Sequence, residues 1–401
     1  MQLEIPRKFR PLVHQAQQVA REVFRPISRY YDRHEHAYPR ELDMLASIMD
    51  GMNDAMGDDG AGAGKLSRAK GGHDGVRNGI NMNTVLGLME ICWGDVGLAL
   101  SLPRQGLGNS AIAAVATEEQ LKRFKDCWAA MAITEPAAGS DSASIRTTAK
   151  LDGDEYVLNG EKIYVTAGDR ADTVVVWATL DPAQGRPAIK SFLVPKGTPG
   201  MHLERLEKKL GIRASDTAAF RFEDCRIPKA NLLGDPEIRP ESGFSGAMQT
   251  FDNTRPLVAA MGVGVARASL ERTRELLTEY GFEWTHQVQG WRQPAVVREL
   301  DMLEAELESA RLLTLRAAWM ADNGQPNSLQ ASMAKAKAGR TATRVTLRCA
   351  ELTTGLGYGE TELLEKWARD SKILDIFEGT QQIQLLIIAR RLLGKTSKEL
   401  R

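Results

Sequence analysis

Between about residue 129 and residue 237 the apolar residues stop recurring at helical intervals, and turn dipeptides cut the chain into short β-prone runs. In "TTAKLDGDEYVLNGEKIYVT" the dipeptides Asp152-Gly153 and Asn159-Gly160 separate such runs. Asn-Gly is the strongest short hairpin cue because both residues tolerate positive φ. "DTVVVWATL", "IKSFLVP" and "TAAFRFEDCRIP" supply further strands. The connections are too short for crossover helices, so the spacing predicts an antiparallel sandwich or barrel.

On both sides the helical period returns. "VHQAQQVAREVFRPI" and "TVLGLMEICWGDVGLALSL" precede the β zone, and Leu300, Leu303, Leu307 and Ala310 form one stripe after it. The order predicts an α+β chain: an N-terminal helical domain over 1–128, a β domain over 129–237 and a C-terminal helical bundle over 238–401. Between the two early helical stretches, "DGMNDAMGDDGAGAGKLSRAKGGHDGVRNG" is rich in glycine and aspartate and reads as a long loop or lid.

The chain has 401 residues, enough for two or three domains with cores of their own. Its 52 basic and 52 acidic side chains cancel and are interspersed, which excludes a nucleic-acid or membrane surface held by bulk charge. Cys92, Cys127, Cys225 and Cys349 lie too far apart for a zinc or redox motif. His34 and His36 have no further ligands nearby, so no metal site is expected. The start of the chain lacks the apolar core of a signal peptide, and no apolar run reaches the ~18 residues of a membrane span. A cytoplasmic protein is the expectation.

"GLGYGE", Gly355 to Glu360, follows a helix rather than a strand, so it reads as a helix end and not a dinucleotide loop. "AITEPAAGSDSAS", Ala132 to Ser144, gathers small residues and hydroxyls between the helical and β zones. That composition suits the close approach of a planar or phosphorylated ligand, and it suits a polar linker equally. Tyr164 and Thr166 are expected on one strand face, where they fit a ring cofactor or a packed helix. Glu378 follows Ile376 and Phe377 and precedes "GTQQIQ". Behind an apolar wall its pKa would rise and make it a base near neutral pH; alternatively it caps the next helix, as Thr380 can.

Three of these stretches together resemble the acyl-CoA dehydrogenase family of flavoenzymes. "MAITEPAAGSD" looks like one family signature, and "GLGYGETELLEKWARDSKILDIFEGTQQIQ" like a second. "FDNTRPLVAAMG", Phe251 to Gly262, is similar to the segment that opens the family's C-terminal four-helix bundle. The resemblance covers most of the chain after about residue 84.

The resemblance implies FAD bound between the β domain and the bundle, and a role in fatty acid β-oxidation. By position, Met131, Ile133 and Thr134 would line the flavin ring, and Gly139 and Ser140 would finish that loop. Tyr164, Val165 and Thr166 would close the ring's other side, while Thr380 and Gln382 match later cofactor contacts. Ser140, Asp252 and Arg255 match positions near the CoA thioester. Glu378 matches the base that removes an α-proton from an acyl-CoA, with electrons passing to an electron-transferring flavoprotein. Some relatives carry their base in the segment matching "FDNTRP"; Thr254 stands there and cannot deprotonate a carbon acid.

The departures from the family are specific. An Arg-x-x-Phe-Gly motif that reaches a neighbouring subunit's FAD does not align with "LLTEYGFEWTHQVQGWRQPA", Leu276 to Ala295. Glu351 replaces a glutamine that also serves the neighbour, and Tyr164 replaces a tryptophan. A homo-oligomer, or a heteromer in which a related subunit supplies those contacts, is the expected assembly, as dimer or tetramer. Competing readings are an acyl-CoA oxidase or flavin monooxygenase on the same fold, and a non-catalytic subunit of a heteromeric dehydrogenase.

Overall fold

The structure, a computed structural model, describes residues 5–55, 79–104, 107–124, 126–239, 245–284, 288–396 and 399, without the side chains of 48–55, 245–253 and 290. Helix α1 (Arg10–Val19) runs through a π turn into α2 (Arg25–Arg33), and α3 (Arg40–Ala55), α4 (Ile80–Gly94), α5 (Val96–Ala99), α6 (Leu107–Val115) and α7 (Glu118–Phe124) follow. The glycine- and aspartate-rich stretch differs from its expected loop at its start. Its first residues, to Ala55, continue α3, because extending a helix already nucleated at Arg40 fixes one residue per added hydrogen bond. Residues 56–78 of that stretch lie outside the described residues.

The β domain is a sheet of eight strands: β1 (Ala129–Ala132), β2 (Thr148–Asp152), β3 (Glu155–Thr166), β4 (Thr173–Thr179), β5 (Ile189–Pro195), β6 (Met201–Leu206), β7 (Thr217–Pro228) and β8 (Leu232–Leu233). The β2–β3 hairpin turns at Asp152-Gly153, and Gly153 has φ 61°. The second dipeptide makes no hairpin. Asn159-Gly160 lies inside β3 at a bulge against β7, where Gly160 has φ 146° and a Cβ would meet Thr147. The pairing is antiparallel except that β4 runs parallel to β1 and, through one residue pair, to β2. About forty residues separate β1 from β4, room enough for a parallel return. "DTVVVWATL" shows no alternation because both faces of β4 are covered. Val174, Val176 and Ala178 enter one apolar core with Phe192, Phe220 and Phe222, while Val175 and Trp177 enter another with Ile112 of α6.

The C-terminal helices are α8 (Ser245–Glu279), α9 (Ala295–Asp322), α10 (Ser328–Leu352), α11 (Thr354–Tyr358), α12 (Leu364–Ser371) and α13 (Gln381–Leu393). The expected stripe Leu300, Leu303, Leu307 and Ala310 is buried. One continuous apolar core joins these helices to Phe24, Val85 and Met89 of the N-terminal ones, so the two helical regions share an interior. "GLGYGE" ends a helix as expected and forms the short α11 directly after α10. Gly357 there admits no side chain, since a Cβ would lie 2.2 Å from the Ala350 carbonyl oxygen.

A buried ion cluster ties the three regions together. Lys366 of α12 is 1% exposed and donates to Asp95 Oδ2 at 2.6 Å and Asp370 Oδ2 at 2.5 Å. Asp95 also caps α5 through the Leu98 N–H at 2.8 Å and accepts from Ser28 Oγ of α2. Asp370 Oδ1 accepts the Ile212 N–H of the β6–β7 connection at 2.5 Å. Burial pushes the Asp370 carboxyl up, and Lys366 opposes it. Beside this cluster, Arg369 pairs with Asp32 at 2.7 Å and with the Leu210 carbonyl at 2.9 Å. Gly211 permits that approach, since a Cβ there would lie 2.4 Å from the Arg369 backbone.

Lys366→Met would leave two buried carboxylates uncompensated and is expected to cost about 3–5 kcal/mol at neutral pH. The folded Asp370 pKa, already raised by burial, would lose the opposition of Lys366, so part of the missing stability returns as the pH falls. Denaturant unfolding at pH 7 and pH 5 measures this, and an equal loss at both values contradicts it.

Candidate active site

The segment between α12 and α13 holds Glu378. A 3-10 turn (Lys372–Asp375) packs on α10 because Gly339 presents no side chain; a Cβ there would lie 2.7 Å from the Leu374 carbonyl oxygen. The chain then turns sharply, with Glu378 at φ 52° and Gly379 at φ 89°. Thr380 caps α13, its hydroxyl accepting the Ile383 N–H at 3.4 Å. Capping therefore falls to Thr380, and the Glu378 carboxyl is directed elsewhere.

Glu378 Oε2 accepts from the hydroxyl of Thr254, a buried residue of α8. The position that cannot serve as a base thus touches the one that can. Burial raises the Glu378 pKa, opposed by the Thr254 hydrogen bond and by the positive charges of Lys335 and Arg255. Arg255 is 4% exposed. Asp252 lies on α8, but its side chain is outside the described residues. Lys335 of α10, fully buried, donates to the Gly379 carbonyl at 2.6 Å.

At the β domain, Met131 and Ile133 are buried at the end of β1 and Thr134 is half-buried. The Thr134 carbonyl accepts the Ile163 N–H at 2.9 Å, which holds this segment against β3. Regular alternation, expected for Tyr164 and Thr166, gives way there to a bulge between Lys162 and Val165, with Tyr164 at φ 59°. Val165 enters the β core and offers only its backbone to a ligand, whereas Tyr164 is exposed and Thr166 half-buried. Gly139 and Ser140 are exposed, and a Cβ at Gly139 would meet nothing within 4 Å.

Sequence reasoning missed what fixes this loop. Glu135 Oε1 accepts from the Thr147 N–H at 2.9 Å and from Lys162 Nζ at 2.7 Å, and Oε2 accepts from the Arg146 N–H at 2.6 Å. Burial alone would raise the Glu135 pKa, but Lys162 and the other donors bring it below the usual value; Lys162 itself falls to about 8 through burial. Lys162 also donates to the Ile133 carbonyl at 3.1 Å, so one buried ammonium holds the start of the loop, and Glu135 ties that start to the far end at Arg146 and Thr147. A lysine among the apolar residues of β3 was the available signal. Lys335 and Gln384 were missed as well, because their partners are backbone carbonyls and carry no residue-type pattern.

A flavin needs apolar walls with nearby polar groups to hold its hydroxyls, and the chain offers both. Met131 and Ile133 supply the first. Gln381 and Gln384 each keep a buried Oε1 without a donor among the described residues, directly after the Glu378 segment. Gln381, which is half-buried, can meet the hydroxyl-bearing part of such a ligand, whereas Gln384 is fully enclosed. Gln382 is exposed on α13.

The chain resembles known proteins over most of its length. Residues 130–225 match the family description "Acyl-CoA dehydrogenase, middle domain", and residues 241–393 match "Acyl-CoA dehydrogenase, C-terminal domain". The chain is 35% identical over 322 residues to a short-chain specific acyl-CoA dehydrogenase of Clostridium acetobutylicum, covering 76% of this chain and 80% of that one. It is 43% identical over 265 residues to the mitochondrial short-chain specific enzyme of Mus musculus, covering 65% of this chain and 62% of that protein's length. The solved butyryl-CoA dehydrogenase of Megasphaera elsdenii superimposes with a TM-score of 0.81 at 27% identity, covering 98% of this chain and 100% of that one. The chain belongs to the acyl-CoA dehydrogenase family.

Thr254→Val removes a hydrogen bond that favours the charged carboxylate, so the Glu378 pKa should rise. Its titration midpoint, followed by the infrared carboxylic C=O band against Glu378→Gln, is expected to move up by about one unit. A downward shift would show that Thr254 stabilises the acid form.

Proposed function

We propose that this chain catalyses FAD-dependent α,β-dehydrogenation of an acyl-CoA thioester to the trans-2-enoyl-CoA, passing electrons to an electron-transferring flavoprotein. The observation that carries this reading is the Glu378 carboxyl. It is a single acid whose pKa is raised by burial, held by Thr254 and not consumed in capping a helix. Glu378 takes the α-proton of the thioester and ends as the carboxylic acid. Its raised pKa narrows the gap to the carbon acid, so less free energy opposes the transfer. The Glu378 backbone N–H donates to the thioester carbonyl, where negative charge develops.

FAD, when bound, supplies the acceptor for the β-hydrogen, which leaves as hydride. Met131, Ile133, Thr134, Tyr164, the Val165 backbone and Thr166 border the flavin ring in this reading, and Gly139 and Ser140 finish the loop. Thr380 and Gln382 add later contacts, while Ser140, Asp252 and Arg255 serve the CoA portion. A short straight acyl group is the substrate class, supported by the names of the relatives above. Glu378 disfavours a monooxygenase, which needs no such base.

We further infer that a second subunit completes the cofactor site. Leu385, Leu386, Leu392 and Leu393 of α13 are 40–64% exposed, an apolar face suited to a partner. Arg348 pairs with both Glu299, at 2.9 Å, and Glu351, at 2.6 Å. Glu351 thus offers a carboxylate, already engaged by Arg348, where a pyrophosphate would need a donor. The segment matching the family's arginine motif includes 285–287, outside the described residues. A heteromer with a related subunit follows, and full FAD occupancy by the lone protein would count against it.

The purified protein, alone or with such a partner, should be yellow and bleach anaerobically with butyryl-CoA faster than with long-chain acyl-CoAs. Glu378→Gln should retain the flavin and lose bleaching by roughly 10³-fold. Turnover at the original rate in that variant would falsify the assignment of the base.

A further inference from the structure

The backbone that carries Glu378 is held in an unusual way. Two consecutive residues, Glu378 and Gly379, have left-handed φ values of 52° and 89°. A non-glycine residue pays for that conformation and keeps it only when its surroundings over-determine it. The restraint converges on two carbonyls. Gly379 O accepts from Lys335 Nζ at 2.6 Å and from Gln384 Nε2 at 3.2 Å, and Glu378 O accepts from the same amide at 3.2 Å. Lys335 is fully buried on α10, one helical turn before Gly339, the residue on which the preceding 3-10 turn rests. One helix face therefore sets both the position of the turn and the carbonyl after the base.

Burying an ammonium is costly, and a neutral donor would bond a carbonyl as well. Its charge therefore needs a reason. The charged groups facing Glu378 are Lys335 from α10 and Arg255 from α8, with Thr254 of α8 on the carboxylate; those facing Lys335 are Asp375, Glu378 and Arg255. Burial lowers the Lys335 pKa to about 8, and the carboxylates of Asp375 and Glu378 oppose that shift.

We propose that Lys335 is a positioning residue for Glu378: it pins the Gly379 carbonyl, holds the base's left-handed turn and turns a positive charge toward that segment. This rests on the reading of Glu378 as the base.

The test is reciprocal, because two coupled groups shift each other equally. Glu378 is titrated by its infrared carboxylic C=O band against Glu378→Gln, and Lys335 by NMR of ¹³C-labelled lysine, in the protein with and without FAD. In Lys335→Gln, which keeps a donor and loses the charge, the Glu378 midpoint should rise by about one unit. Lys335→Arg should restore it. In Glu378→Gln, an isosteric change, the Lys335 midpoint should fall by the same amount. The acid limb of butyryl-CoA bleaching should move with the Glu378 midpoint. An unmoved Lys335 midpoint in Glu378→Gln overturns the proposal, even if no Lys335 variant folds. Loss of bleaching in Glu378→Gln with unmoved midpoints removes Lys335 alone, whereas full bleaching in Glu378→Gln removes the base assignment itself.

Discussion

Lys366, Asp95 and Asp370 form the contact on which the arrangement of this protein depends. The ammonium is buried between a carboxylate from the end of α4 and another on its own helix, and their remaining oxygens are spent on backbone N–H groups of α5 and the β6–β7 connection. Each charge is costly alone, so the cluster is stable only when all three regions are in place. It sits in the helix that leads directly to Glu378. The Glu378 segment is thereby referenced to the β domain and to the N-terminal helices at once, instead of hanging from the bundle alone.

A second set of buried cations works at shorter range. Lys162 holds the loop after β1 through Glu135 and the Ile133 carbonyl, and Lys335 holds the turn at Glu378 through the Gly379 carbonyl. Both reach backbone carbonyls, where a point charge on a flexible stem needs no special fork geometry. Both have pKa values lowered by burial. The two loops that the family resemblance marks are thus each fixed by a buried ammonium. No described helix is long and apolar enough to cross a membrane.

The helix–sheet–helix order was legible because hydrophobic spacing is a local property. Leu300, Leu303, Leu307 and Ala310 point to one helix face wherever that helix packs, and Asp152-Gly153 permits its hairpin turn without help from neighbours. Asn159-Gly160 carries a similar local signal, yet pairing with β7 made it a bulge inside a strand. β4 was harder to place, since a continuous apolar run is silent about which strands lie beside it. Its parallel pairing with β1 is a contact between segments far apart in sequence.

The sequence by itself determined the family signatures, the unusual acid at Glu378 and the small residues that let backbone segments approach. These are recorded in residue type at fixed spacing, because chemistry and sterics at one position constrain that position directly. Only the tertiary structure decided that Thr254 donates to Glu378, that Thr380 and not Glu378 caps α13, and that Lys335, Lys162 and Lys366 are buried. Each of those facts depends on groups brought together from distant parts of the chain. A lysine carries no mark of whether its ammonium will meet water, a carboxylate or a carbonyl until the chain has folded around it.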